Sequence, residues 1–149
     1  MHVLTPAQFE KYFTLDEAVA MLPFLRASLE EAHAELRETQ DDIVLYKRMH
    51  AIREEDGEDD ESPESQTIRT ILKGKWERFD EALHRWERTF TEKGALVRSM
   101  QKGLLDFPYL TKEGEELMLC WHYGEDGILF FHDNEEGFSG RRPITLLPD

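Results

Sequence analysis

Thr14-Leu15-Asp16-Glu17-Ala18-Val19-Ala20-Met21-Leu22-Pro23-Phe24-Leu25 reads as the opening of a long helix, and the fold follows from how far its pattern runs. Thr14 and Glu17 have the spacing of a capping box, in which hydroxyl and carboxylate each accept the other residue's backbone N–H. Phe13 precedes the cap and can staple onto Ala18. From Ala18 an apolar seam continues through Leu22, Leu25, Leu29, Ala32, Leu36, Thr39, Ile43, Tyr46 and His50, in alternating steps of four and three. That is the period of helices packed lengthwise, so a first helix is expected over 14–53. Pro23 lacks a backbone donor, which predicts a kink there or a short helix that restarts.

The seam runs into Arg53-Glu54-Glu55-Asp56-Gly57-Glu58-Asp59-Asp60-Glu61, and like charges this dense predict a mobile acidic loop over 54–64. Ser62-Pro63 has the form of an N-cap and first helical position. A second seam through Ile68, Leu72, Phe79, Leu83, Trp86, Phe90, Val97 and Met100 predicts a second helix over 63–102. Gly74 and Gly94 within it predict fraying or a bend. Lys102 and Gly103 read as its end.

After Gly103 the period changes. Leu104 to Pro108 reads as a short extended segment, and Thr111 to Gly114 as a turn. Glu116 to Tyr123 and Ile128 to Asp133 flank Gly124-Glu125-Asp126-Gly127 and read as a β-hairpin. The remainder, 104–149, is a small β region with an irregular tail. A turn centred between Glu125 and Asp126 pairs Tyr123 with Ile128, Trp121 with Phe130, Leu119 with His132 and Cys120 with Phe131. Alternation along the strands then puts His132 on one face, and Cys120 and His122 on the other. A Cys120–His122–His132 metal site would need a one-residue slip, which also turns the apolar set over. The expected class is therefore α+β: a long antiparallel two-helix hairpin followed by a small antiparallel β-hairpin, in a single domain over 1–149.

Composition narrows the function classes. Thirty-two acidic against 18 basic residues give a net charge of −14, which opposes contact with phosphate backbones, so no nucleic acid is expected. Cys120 is the single cysteine, which rules out an intramolecular disulfide and a Cys-rich zinc site. Residues 1–10 have neither a basic n-region nor an apolar h-region, and no apolar run approaches a bilayer span. No membrane contact is expected, and the cytoplasm is the expected location.

Several segments together resemble domain-of-unknown-function family 2203, a bacterial family of uncharacterised proteins. They are Tyr12 to Ala18, Leu22 to Leu25, Gly103 to Pro108, Leu119-Cys120-Trp121, His132 and Gly137 to Ile144. The resemblance implies the same fold and a bacterial setting, and it implies no activity. It directs attention to the polar positions of those segments: Asp106, His132, Arg141 and Arg142.

Three kinds of chemistry are open to these residues. Arg141 and Arg142, in a Gly-flanked loop, suit a carboxylate or phosphate, with His132 and Asp106 completing an anionic ligand or catalytic site. The bland alternative pairs the arginines with surplus carboxylates. Glu30-x-x-His33 and Glu81-x-x-His84 have the spacing of carboxylate-bridged metal sites in helical bundles, although Glu81 and His84 point away from their seam. The bland alternative is solvated surface. Leu29, Leu36, Trp76 and Trp86 are interface candidates if a second copy or a partner helix lies on the seams. The favoured reading is a non-enzymatic helical-hairpin protein that forms a homodimer through its helices or docks to a protein partner, with no cofactor and no favoured metal. The alternative is the small-ligand or catalytic site around Asp106, His132 and Arg141. A metal site on the helices is a weaker alternative.

Overall fold

The computed structural model describes residues 8–51 and 62–149. The expected acidic loop falls largely outside the described residues, as does most of the leader before Phe13. The elements run α1 (Leu15–Met49), α2 (Pro63–Thr91), β1 (Leu96–Ser99), β2 (Leu104–Leu110), β3 (Glu116–His122), β4 (Phe130–Asp133) and β5 (Arg142–Pro143). Two helices followed by an antiparallel sheet make this an α+β fold, as the sequence indicates. The chain divides into two compact units, one formed by 1–29 with 87–149 and the other by Glu30–Trp86.

The capping box forms as its spacing requires. Thr14 N–H donates to Glu17 Oε1 at 3.0 Å, and Glu17 N–H donates to Thr14 Oγ1 at 3.1 Å. Phe13 and Ala18 are both buried beside it. The helix then runs through Pro23 without a break to Met49. Pro23 lies on an exposed position, so no restart is needed. Ser62 caps α2 by accepting Ser65 N–H at 3.2 Å, and Pro63 is its first helical residue.

In the helical unit α1 and α2 run antiparallel. Glu35 receives Arg85 and the Trp86 indole N–H, Asp42 receives Lys75 at 2.7 Å, and Lys47 lies 5.6 Å over the Trp76 ring. Ala32, Leu36 and Ile43 of the expected α1 seam are buried; on α2 the buried residue of this unit is Ala82, one position before Leu83 of the expected seam, and Leu72, Phe79, Leu83 and Trp86 are half-buried.

The second helix stops at Thr91, eleven residues before the expected end. Gly94 is the cause. It has φ +94°, its N–H donates to Thr91 O, and Ala95 N–H reaches back to Phe90 O, which together form a Schellman C-cap. A Cβ on Gly94 would meet Lys11 Cδ and Phe13 Cε1, both at 3.1 Å. Val97 and Met100, expected on the helix, instead lie in β1 and in the turn after it. Gly103 serves that β1–β2 turn with φ +69°, and its Cβ position is 2.6 Å from Tyr123 Cβ. The β part is thus larger than a hairpin: five antiparallel strands in the order β1-β2-β3-β4-β5.

The β3–β4 register differs from the symmetric expectation by one residue. Leu119 pairs with Phe131, Met118 with His132 and Cys120 with Phe130. The connecting loop is held by tertiary partners and not by a symmetric turn. The Glu125 carboxylate accepts His122 N–H at 2.7 Å and receives Arg141, and its carbonyl accepts the Trp121 indole and Arg26. The slip also turns over the apolar set, and β3 accommodates it because Leu117 through Trp121 are buried, with both faces of the strand covered. One face packs on the start of α1. There Phe13 meets Phe107 edge to face at 5.1 Å, and Arg26 lies 6.0 Å over Trp121. The other face carries Asp106, Cys120 and His132 and adjoins the tail, where Phe138 meets His122 at 6.0 Å.

Candidate functional site

Register builds the site. Asp106 on β2 pairs with Cys120 on β3, and His132 on β4 pairs with Met118, two residues along from Cys120. Residues two apart share a face, so three adjacent strands each contribute one polar side chain to the same patch. All three are buried, at 1 %, 2 % and 3 % exposure for Asp106, Cys120 and His132. A ring nitrogen of His132, the Cys120 sulfur and an Asp106 carboxylate oxygen lie within 4.8 Å of one another. Among the described residues this is the one such group of three potential metal ligands.

The hydrogen bonds define its electrostatics. Asp106 Oδ2 accepts from His132 Nε2 at 3.0 Å and from Arg98 Nε at 2.7 Å. His132 Nδ1 lies 2.5 Å from the carbonyl of Asp133. Both ring nitrogens therefore face acceptors, which suits the doubly protonated ring. Burial pushes the His132 pKa down, but the hydrogen bonds to Asp106, Cys120 and the Asp133 carbonyl, with the Asp106 charge, outweigh it and raise the pKa to about 10.

Arg98 reaches Asp106 because β1 is irregular. The pairing of β1 with β2 shifts between Val97 and Ser99, and a bulge of this kind re-aims the intervening side chain. A helix over 63–102 hides Arg98 from the sequence; Gly94 as a C-cap is the signal that releases it into the sheet. A pocket of about 210 Å³ opens onto the cluster, lined by Arg98, Asp106, Cys120, His132, Asn134 and Phe138 among others.

Of the expected anionic site, Asp106 and His132 meet and the arginines stand apart. Arg141 Nη2 donates to both carboxylate oxygens of Glu125 at 2.7 Å, and its guanidinium lies 4.0 Å over Phe130 and 4.6 Å over Phe138. Its Nε is buried with no hydrogen-bond partner. Arg142 is exposed and lies 3.9 Å from Glu136. The bland pairing of the arginines with carboxylates is what forms.

Glu30, His33, Glu81 and His84 do not assemble into a ligand group. His84 Nδ1 is 2.7 Å from the Asp80 carbonyl one turn earlier, and Glu81 is exposed. Of the interface candidates, Leu29 and Leu36 are buried within the chain and Trp86 is half-buried against Glu35. Trp76 is 40 % exposed, with its ring edge on Phe79. Among the described residues no helix is long and apolar enough to cross a membrane.

The family model described as an uncharacterized conserved protein, DUF2203, matches residues 11–144. No curated protein and no solved structure matches the chain. With nearly the whole chain covered, the protein belongs to the DUF2203 family.

Proposed function

We propose that this member of the DUF2203 family binds a small anion, of carboxylate or phosphate class, in the pocket over Asp106, Cys120 and His132. The observation that carries the reading is a buried polar cluster, one residue from each of three strands, at the base of a pocket. Buried charges are costly, and a sheet that keeps Asp106 and His132 where apolar residues would pack has a use for them. Around Asp106 itself Arg98 and a protonated His132 carry two positive charges against one negative charge, which favours an anion at that point, while the exposed Glu135 carboxylate, also on the pocket lining, offsets the excess. Arg98 thereby takes the role that the sequence suggested for Arg141. A volume of about 210 Å³ lies below the usual range for drug-sized ligands and suits a molecule of a few heavy atoms. A free thiol at the site fits a reducing compartment such as the cytoplasm.

Titration of the full chain with inorganic phosphate and with acetate, followed by amide NMR, tests this. Saturable shifts centred on Cys120, His132 and Asn134, lost in Arg98→Ala, are expected. Shifts spread evenly over the surface, or none at these amides, would sink the reading.

A second reading, self-association or docking to a protein partner through the helices, draws on the helical unit. Val44, Leu45 and Met49 on α1 and Ile71 and Trp76 on α2 are exposed, with Leu45 at 57 % and Met49 at 70 %. A set of exposed apolar residues of this size on two paired helices offers a contact surface to a second copy or a partner. Sedimentation of the wild type against Leu45→Glu/Met49→Glu separates the cases: a dimer converted to monomer supports assembly, and a monomer in both removes it.

A further inference from the structure

We infer that Asp106, Cys120 and His132 form a three-ligand site for a divalent transition metal, zinc above all. This rests on the reading of the same pocket as a functional site, and its test can fail separately from that reading. The argument is geometric. The three ligand atoms already lie within 4.8 Å of one another. Zinc bonds of about 2.0–2.3 Å in a tetrahedron set ligand atoms roughly 3.3–3.8 Å apart, so side-chain shifts of about 1 Å or less close the site. All three side chains are buried, unlike the exposed carboxylate clusters common on protein surfaces.

The orientation of His132 points the same way. A Cys–His–Asp nucleophile relay places the histidine between its partners, one ring nitrogen for each. Here the Asp133 carbonyl holds Nδ1 at 2.5 Å, so Asp106 does not sit behind the ring as the relay's third member. A backbone carbonyl on Nδ1–H is the outer-sphere arrangement that fixes a metal-binding histidine with Nε2 directed at the ion. Arg98, on the Asp106 carboxylate at 2.7 Å, supplies a corresponding outer contact.

Ligand chemistry selects the ion. A thiolate with an imidazole and a carboxylate suits zinc and its first-row neighbours, whereas magnesium and calcium take oxygen ligands. Three protein ligands leave a fourth position, and the pocket lies over it. Binding releases the Cys120 thiol proton and the His132 Nε2 proton. Two protons leave and one dication enters, so the net charge of the cluster is unchanged, and an anion can occupy the fourth position as it would the metal-free pocket.

The test is metal binding by the chelator-stripped full chain. Zinc stoichiometry by native mass spectrometry should be one per chain. Cobalt(II) should give a near-ultraviolet thiolate-to-cobalt charge-transfer band. Cys120→Ser should lose that band, and His132→Gln should bind zinc at least on the order of 100-fold more weakly, a loss that even an outer-sphere change can cause. Glu30→Gln/His84→Gln should bind as wild type. The cobalt band is read on the wild type, so unfolding of a variant does not spare the proposal. Absence of that band, or zinc binding that survives in Cys120→Ser or disappears in Glu30→Gln/His84→Gln, overturns it. Saturable phosphate or acetate shifts in a chain that binds no metal would retire the metal and leave the pocket.

Discussion

The helical unit and the sheet bury their residues in different ways, and the difference explains what each can do. On α1 and α2 one stripe is buried and the rest faces solvent, so Ala32, Leu36 and Ile43 are fixed by spacing alone. On β3 five consecutive residues, Leu117 to Trp121, are buried on both faces. A strand buried on both faces carries no alternation to set its register. Register there is set by partners distant in sequence, such as Arg141 and Arg26 on the Glu125 loop. The one-faced unit is legible and lacks a cluster of potential ligands among its described residues, while the two-faced sheet is less legible and hides one.

The comparison can be broken most directly in the sheet core. Phe107→Ala, at a fully buried site, should cost about 3–5 kcal/mol in denaturant unfolding. In the helical unit Ile43→Ala should cost nearer the lower end of about 2–5 kcal/mol, because a single stripe between two helices relaxes more readily than a core enclosed on both sides. Equal losses would remove the contrast in packing. Thr14→Ala should cost about 1 kcal/mol through the lost capping hydroxyl, with Thr14→Ser restoring most of it.

The two regions should also respond to pH with opposite signs. The His132 pKa is raised in the folded chain, so in the metal-free protein its contribution is fully present below about pH 6.5 and is lost as pH rises through about 10. Glu35 is held below the usual carboxylate range by its hydrogen bonds to Arg85 and the Trp86 indole. Its contribution is present above the ordinary glutamate value and is lost as pH falls through the depressed one. Unfolding followed from pH 3 to 10 should therefore lose part of its alkaline slope in His132→Gln and part of its acid slope in Glu35→Gln. Because Glu35 is partly exposed, the second change should be the smaller.

How much could be read from the sequence follows from the same contrast. The capping box at Thr14, the α1 seam and the Ser62-Pro63 start were legible because each is local and periodic. The end of α2 is hard to read because a glycine inside a seam predicts only a bend, whereas Gly94 has φ +94° and forms a C-cap. A helix continued past it leaves β1 and Arg98 out of the site. The family resemblance points to Asp106 and His132, while a symmetric turn puts Cys120 on the face opposite His132, one residue out of the register that forms. Arg141, chosen for its chemistry, is engaged by Glu125, a partner that no spacing rule predicts.

The most direct measurement of the account's central claim is long-range proton–nitrogen NMR of the His132 ring in the metal-free chain at pH 8. If the register brings Asp106 and the Asp133 carbonyl to opposite sides of the ring, both nitrogens carry protons at that pH. A neutral ring that titrates near 6.5 would show that Asp106 and His132 do not meet, and the site built on them would fall.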